Sequence, residues 1–397
     1  MTDLLIRNLR PMGGAPSDLL IRGGMIAAVG ADLAAPGVPS HDAQGAIAIP
    51  GLVEAHTHLD KTVMGMGWYE NAVGTDLRAM IDNERAERRR LGLDPARQSL
   101  RHALALVGNG TTHVRSHVDI DTDHGLAMLE GVLDTRDRLR GALDIEIVAF
   151  PQSGLMIRPG TADLLDAALR AGADLVGGLD PCGIDRDPKG HLDTIFALAD
   201  RHGRGIDIHL HEAGELGAFS LEMILERTRA LGMRGRVAVS HAFCLGMPDH
   251  ARTEGLIAAL VDQDVAILTT GAPSREVPQV RRLTAAGVRM GAGCDGVRDT
   301  WNPWNRPDML DRARILALRN NLRSDADVAL ALAVCTTGGA AVMGVADHGL
   351  TPGCRGDLAL LGGQTLAQAV VEGGPVRLTV KGGRITARDG RALMESP

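Results

Sequence analysis

Gly51-Leu-Val-Glu-Ala-His56-Thr-His58-Leu-Asp60-Lys61 is the stretch on which the reading of this chain turns. An apolar run ends in two histidines two residues apart, and on a strand that spacing sends both imidazoles to one face. Histidine is the commonest protein ligand for a divalent metal, so a rigid strand carrying such a pair is a candidate metal site. An isolated pair of this kind also arises by chance. What decides the matter lies downstream.

From here the chain alternates short β-rich runs with amphipathic ones. Strands are predicted at 49–56, 111–118, 144–151, 174–180, 205–211, 236–241, 264–270 and 287–294. Helical patterns lie between them, among them Thr161–Ala171 and Leu192–His202, which Gly172 and Gly203 close. Parallel strands need helical crossovers, so this alternation predicts an α/β fold, a (β/α)8 TIM barrel. A doubly wound open sheet is the competing architecture, but no glycine-rich phosphate loop follows the first strand. The ends differ. Asp18-Leu-Leu-Ile-Arg-Gly-Gly-Met-Ile and Arg377-Leu-Thr-Val-Lys-Gly-Gly-Arg-Ile both read as strand, Gly-Gly turn, strand. Residues 1–50 and 347–397 are therefore expected to form a small β-sandwich beside a barrel of residues 51–346.

Composition narrows the function. A net charge of −7 gives no basic footprint for nucleic acid. No charged-then-apolar leader or bilayer-length apolar run stands out. The five cysteines (Cys182, Cys244, Cys294, Cys335, Cys354) show no CxxC spacing, which suits a reduced compartment, and a cytoplasmic location is expected. Lys61, Lys189 and Lys381 are the only lysines among 42 basic residues, so a lysine three residues past His58 is poor surface filler.

In a (β/α)8 barrel the reactive groups sit at the C-terminal ends of the strands. Those ends carry His56 and His58, then Arg115 and His117, Phe150-Pro-Gln152, Asp180, His209-Leu-His211-Glu212, Ser240-His241 and Cys294-Asp295. One such histidine is ordinarily a satisfied core residue. A polar, metal-capable residue at most of the strand ends is a site.

These segments resemble the amidohydrolase superfamily, and within it cytosine deaminase and N-isopropylammelide isopropylaminohydrolase. The similarity is carried by His56-Thr-His58-Leu-Asp-Lys61, His113-Val-Arg-Ser-His117-Val-Asp119, Ile147-Val-Ala-Phe-Pro-Gln152-Ser-Gly, His209-Leu-His-Glu212, Ser240-His241 and Asp295-Gly-Val-Arg-Asp299-Thr-Trp301-Asn-Pro303. The resemblance implies one divalent metal ion, Zn2+ or Fe2+, bound by His56, His58, His209 and Asp295. Dinuclear members bridge two metals with a strand-4 lysine, and Asp174–Asp180 contains none. Glu212 would shuttle the proton and His241 would steady the attacking oxygen, beside Asp295. His211 shares His209's strand face, so its part, ligand or substrate contact, stays open. Lys61, Gln152, His211, Asp299 and Trp301 would meet the substrate.

Three departures mark this pocket. Gly296 stands where cytosine deaminase has a second aspartate, Lys61 is present in the triazine enzyme but not in cytosine deaminase, and the triazine enzyme has aspartate where this chain has Glu212. Six of the eight aromatic residues, Trp68, Tyr69, Phe150, Phe243, Trp301 and Trp304, fall on the expected active-site face, favouring a flat ring stacked between aromatic walls. The expected activity is hydrolytic deamination of a small N-heterocycle, cytosine-like first, with isoguanine, pterins and aminotriazines behind it. Removal of an N-alkylamine from a triazine and cyclic-amide hydrolysis are the alternatives, and a non-catalytic binding protein is the least favoured. A homo-oligomer is expected, with no nucleic-acid or membrane partner.

Overall fold

The computed structural model describes residues 2–273 and 275–395. Its centre is a sheet of eight parallel strands, hydrogen-bonded in chain order. They are β1 (Leu52–Thr57), β2 (Thr111–Asp119), β3 (Asp144–Phe150), β4 (Leu175–Leu179), β5 (Gly205–His209), β6 (Val237–Ser240), β7 (Ala266–Thr269) and β8 (Met290–Ala292). The sheet closes at its two ends. The Asp295 amide donates to the His56 carbonyl at 2.9 Å, and Thr57 bridges Asp295 in parallel register. Closure thus falls on residues expected to bind metal.

Helices cover the outside and side chains fill the inside, so β1 and β2 are buried at every position. All eight predicted strands form, but the last spans only Met290–Ala292, and the first, expected at 49–56, begins at Leu52 because residues 49 and 50 belong to a strand of the second sheet. The helix expected at Leu192 begins earlier, at Pro188, because Asp187 caps it by accepting from the Gly190 amide and proline suits a first helical position.

Residues 4–50 and 358–392 supply a second sheet of nine strands, mostly antiparallel. Ile47–Pro50 joins its halves, pairing with Leu4–Pro11 on one side and Leu358–Leu361 on the other. The path bends round a small core that includes Ile6, Leu19, Ile21, Leu358 and Val380, and Met25 and Arg355 bridge across it. Both expected hairpins form. Gly23 and Gly24 (φ +55° and +83°) and Gly382 and Gly383 (φ +54° and +78°) take the two positive-φ turn positions that glycine tolerates.

Asp325–Val342 corrects the expectation that no apolar run is long enough for a bilayer: its 18 residues have a mean hydropathy of 1.4. The segment folds as two helices, Asp325–Val334 and Thr337–Val342, and is half buried inside the protein.

Candidate metal centre and active site

The C-terminal ends of the strands bring five imidazoles and a carboxylate together. One ligand atom each from His56, His209, His241 and Asp295 lies within 4.8 Å of all the others. His58 joins from the side, its Nε2 3.4 Å from Asp295 Oδ1, while His56 Nε2 is 3.6 Å from the same oxygen. His117 packs beneath, its ring centroid 4.4 Å from those of both His56 and His209. Phe150 stacks on His209 at 4.1 Å and holds that ring in place.

The donor atoms fit a divalent cation. His56 Nε2 and both nitrogens of His209 and His241 are buried without a hydrogen-bond partner among the described residues. Buried polar atoms are ordinarily paired, so this many orphans in one place point to a missing electrophile. The protonation states agree. Burial lowers His58 to about 4, and burial with neighbouring imidazoles holds His209 and His241 well below their usual value. Burial disfavours the Asp295 carboxylate, yet His56 and His58 outweigh it and keep its pKa well below the usual range. Neutral imidazoles and an ionised carboxylate are the forms that bind metal.

Three residues here sit in the left-handed region: Asp180 (φ +34°), His241 (φ +68°) and Asp295 (φ +63°). Each follows a strand end and turns its side chain inward. Non-glycine residues in such conformations cost about 1–3 kcal/mol and persist where the surroundings enforce them.

Beside the cluster, a cleft is lined by His58, Lys61, Gln152, His209, His211, Asp295, Gly296, Asp299, Trp301 and Asn302. The five expected substrate contacts all lie along it. Lys61 Nζ donates to Gln152 Oε1 at 2.8 Å and lies 3.4 Å from both Asp119 and Glu84. Burial opposes its charge, but Asp119, Glu84 and Asp60 prevail and hold the ammonium above its usual pKa. Glu84 also accepts from the Trp301 indole, and Lys61 sits 5.6 Å over that ring. Asp299 accepts from the Trp301 and Asn302 amides at 2.8 and 3.0 Å, shaping the loop after β8. A Cβ on Gly296 would lie 1.8 Å from Asp299 Oδ2, so the carboxylate of Asp299 occupies the space a side chain at 296 would need.

His211 and Glu212 point to different surroundings. His211 Nδ1 lies 2.7 Å from Asp180 Oδ2, and the ring borders the cleft. Burial disfavours its charged form, but Asp180 outweighs this and raises the imidazole above its usual value. Glu212 does not line the cleft. Its Oε1 accepts from the Cys182 and Gly183 amides at 2.8 and 2.6 Å, and Oε2 accepts from Ser220. Of the six expected aromatics, Trp301 alone lines the cleft; Trp68 and Trp304 are 74% and 83% exposed.

Sequence reasoning passed over Glu84 and Arg88, and it gave no role to Asp119, which closes one of the segments that carry the resemblance. Glu84 and Arg88 lie one helical turn apart on Leu77–Leu91, on its inner face, and Arg88 binds both acids. Their burial is the signal, and the helix is polar enough to read as a solvent-facing one.

The amidohydrolase family model matches residues 41–387. N-isopropylammelide isopropyl amidohydrolase of Pseudomonas sp. (strain ADP) is 30% identical over 354 residues, 88% of either chain. The crystal structure of N-isopropylammelide isopropylaminohydrolase from Burkholderia multivorans ATCC 17616 superposes with a TM-score of 0.96 at 50% identity, over 99% of this chain and 100% of that one. That of 5-methylcytosine deaminase from Klebsiella pneumoniae, liganded with 5-fluorocytosine, does so with a TM-score of 0.85 at 28% identity, over 98% of both. The chain belongs to the amidohydrolase family, and it is a hydrolase acting on C–N bonds.

Proposed function

We propose that the protein hydrolyses the exocyclic C–N bond of a small N-heterocycle carrying ring oxo groups, with an N-alkylaminotriazine of the N-isopropylammelide type as first substrate. The observation that carries this reading is the Lys61–Gln152 contact. An ammonium can only donate, so the atom facing it must be the Gln152 carbonyl oxygen, which leaves the amide nitrogen free to donate into the cleft. Gln152 then offers the ring an N–H donor beside the positive charge of Lys61, whose own three donors go to Gln152, Glu84 and Asp119, and this pairing matches a ring oxo oxygen. The 50% identical Burkholderia enzyme supports the same substrate class.

One divalent cation, zinc or ferrous iron, would be held by His56, His58, His209 and Asp295. When bound it supplies Lewis acidity, making water a nucleophile near neutral pH. His241 faces the same space and would orient the incoming oxygen by a hydrogen bond. His211, steadied at Nδ1 by Asp180, presents Nε2 to the cleft and would hand a proton to the departing amine nitrogen. Glu212 was the expected proton shuttle, from the attacking water to a ring nitrogen, but its oxygens are engaged by Cys182, Gly183 and Ser220, and we assign it to holding that loop. Trp301 would flank the ring plane.

Amine release from metal-loaded protein, followed over N-isopropylammelide, ammelide, cytosine and 5-methylcytosine, tests the proposal. Isopropylamine formation with cytosine inert is the expected result. Turnover of the pyrimidines alone would discard it for the second reading, deamination of a cytosine-type ring, which the likeness to 5-methylcytosine deaminase favours.

A further inference from the structure

Beneath the metal cluster a line of buried polar groups runs down the barrel axis. His56 Nδ1 lies 2.8 Å from Ser240 Oγ, and Ser240 Oγ lies 2.7 Å from Asp207 Oδ1. The other Asp207 oxygen accepts from Arg115 Nη1 at 2.8 Å, and Arg115 Nε in turn donates to Glu146. His56, Ser240 and Asp207 are each fully buried, so no bulk water enters the count of protons.

That count has one solution. Both Asp207 oxygens accept, Oδ2 from Arg115 and Oδ1 from Ser240. The single Ser240 hydroxyl proton must therefore point to Asp207. Were it turned to His56 instead, two oxygens 2.7 Å apart would face each other with no proton between them. With its proton given to Asp207, Ser240 can only accept from His56, so Nδ1 of that imidazole carries hydrogen. Nε2 is then the lone-pair nitrogen, and it is Nε2 that is orphaned and 3.6 Å from Asp295. The strand ladder sets the line up: β5 and β6 are paired so that His209 lies opposite Ser240 and Asp207 opposite Ala238.

We infer that Asp207 and Ser240 are positioning residues for the metal: they fix His56 in its Nδ1–H tautomer and present Nε2 to the cation. Outer partners of this kind orient a ligating imidazole and raise its basicity, and removing one weakens metal binding about 10–100-fold. The inference rests on the metal site proposed above and adds a proton arrangement to it.

The two residues make different predictions when changed. Ser240→Ala removes the acceptor, so His56 loses its tautomer preference and metal affinity falls about 10–100-fold. Asp207→Asn inverts the line. The new amide oxygen stays with Arg115, its NH2 donates to Ser240, and Ser240 must donate to Nδ1, which places the proton on Nε2, against the metal. Asp207→Asn is thus expected to bind metal more weakly than Ser240→Ala.

The experiment is competition for Zn2+ against a chromophoric chelator, with the thermal midpoint of the metal-free proteins measured alongside. Histidine-selective 15N spectra of the metal-free wild type read the tautomer directly. Expected are weakened Zn2+ binding in both variants, metal-free midpoints within a few degrees of wild type for Ser240→Ala, and an Nδ1–H signal for His56. Wild-type affinity in Ser240→Ala, or an Nε2–H tautomer in the wild type, would overturn the inference while leaving the metal site intact. A wild type that takes up no Zn2+ would overturn the site and the inference together.

Discussion

Lys61 shows what one side chain can decide. It is 3% exposed, stands among Asp119, Glu84 and Gln152, and is the cleft's only ammonium. Lys61→Met should lower kcat/KM for an oxo-bearing ring by about 10–100-fold, because it removes the positive charge beside the ring and the charged hydrogen bond that orients Gln152. Metal content, measured by elemental analysis, should stay at the wild-type level, because Lys61 touches none of the proposed ligands. His211 and Glu212 permit a sharper comparison. His211→Asn should cost about 10²–10⁴ in kcat, the usual share of a general acid. Glu212→Gln can keep the amide bonds to Cys182 and Gly183 through its carbonyl oxygen and donate to Ser220, so its loss should be much smaller. Steady-state rates on both variants settle the order, and a dead Glu212→Gln with an active His211→Asn would return the proton to Glu212.

At the scale of elements, the loop after β8 carries Gly296 where the resemblance to cytosine deaminase leads one to expect an aspartate, and a clash accounts for the glycine. Gly296 lies 1.8 Å, in Cβ terms, from Asp299 Oδ2, and Asp299 ties down the Trp301 and Asn302 amides. Gly296→Ala should therefore displace Asp299, costing about 1–3 kcal/mol as overpacking does and loosening Trp301 over the cleft. Because Trp68 and Trp304 are largely exposed, a Trp68→Phe/Trp304→Phe background isolates Trp301, and its emission should shift to the red in Gly296→Ala. Unchanged emission would mean the loop absorbs the methyl group. The barrel and the gathering of its strand-end histidines were readable in the sequence because both depend on local spacing: HxH at 56 and 58, and a polar residue at most of the strand ends. The environment of Lys61 was not. Glu84 and Arg88 arrive from a helix more than twenty residues on, and only packing reveals which of its faces turns inward. The orientation of Glu212 escaped for the same reason, since its partners Cys182 and Gly183 follow a different strand.

Across the whole molecule, the same shortage of lysine that marks Lys61 marks Lys381, the residue that pins the terminal sheet to the barrel. From the strand Leu378–Lys381 its Nζ reaches Asp357 Oδ2 and Asp144 Oδ2, both at 2.8 Å, and His113 Nε2 at 3.1 Å. Asp357 belongs to the terminal segment and is 1% exposed; Asp144 opens β3 on the barrel's N-terminal face. Lys381→Met leaves Asp357 buried without its cation, and breaking a buried pair in this way costs about 3–5 kcal/mol. Acid should act on the same contact. Burial raises the Asp144 carboxyl, but His113 and Lys381 overcome it and hold its pKa below the usual value. A carboxyl depressed in the folded state adds stability that is complete above its unfolded pKa of about 3.9 and is lost as pH falls through the lower folded value. Urea unfolding of wild type and Lys381→Met should thus show a wide gap at pH 7 that narrows below about pH 4, as the unfolded chain takes up a proton at Asp144 that the folded wild type still resists. A gap that stays constant down to pH 3 would assign Lys381 to packing alone, and the terminal sheet would then be held to the barrel by its apolar contacts without the ion pair.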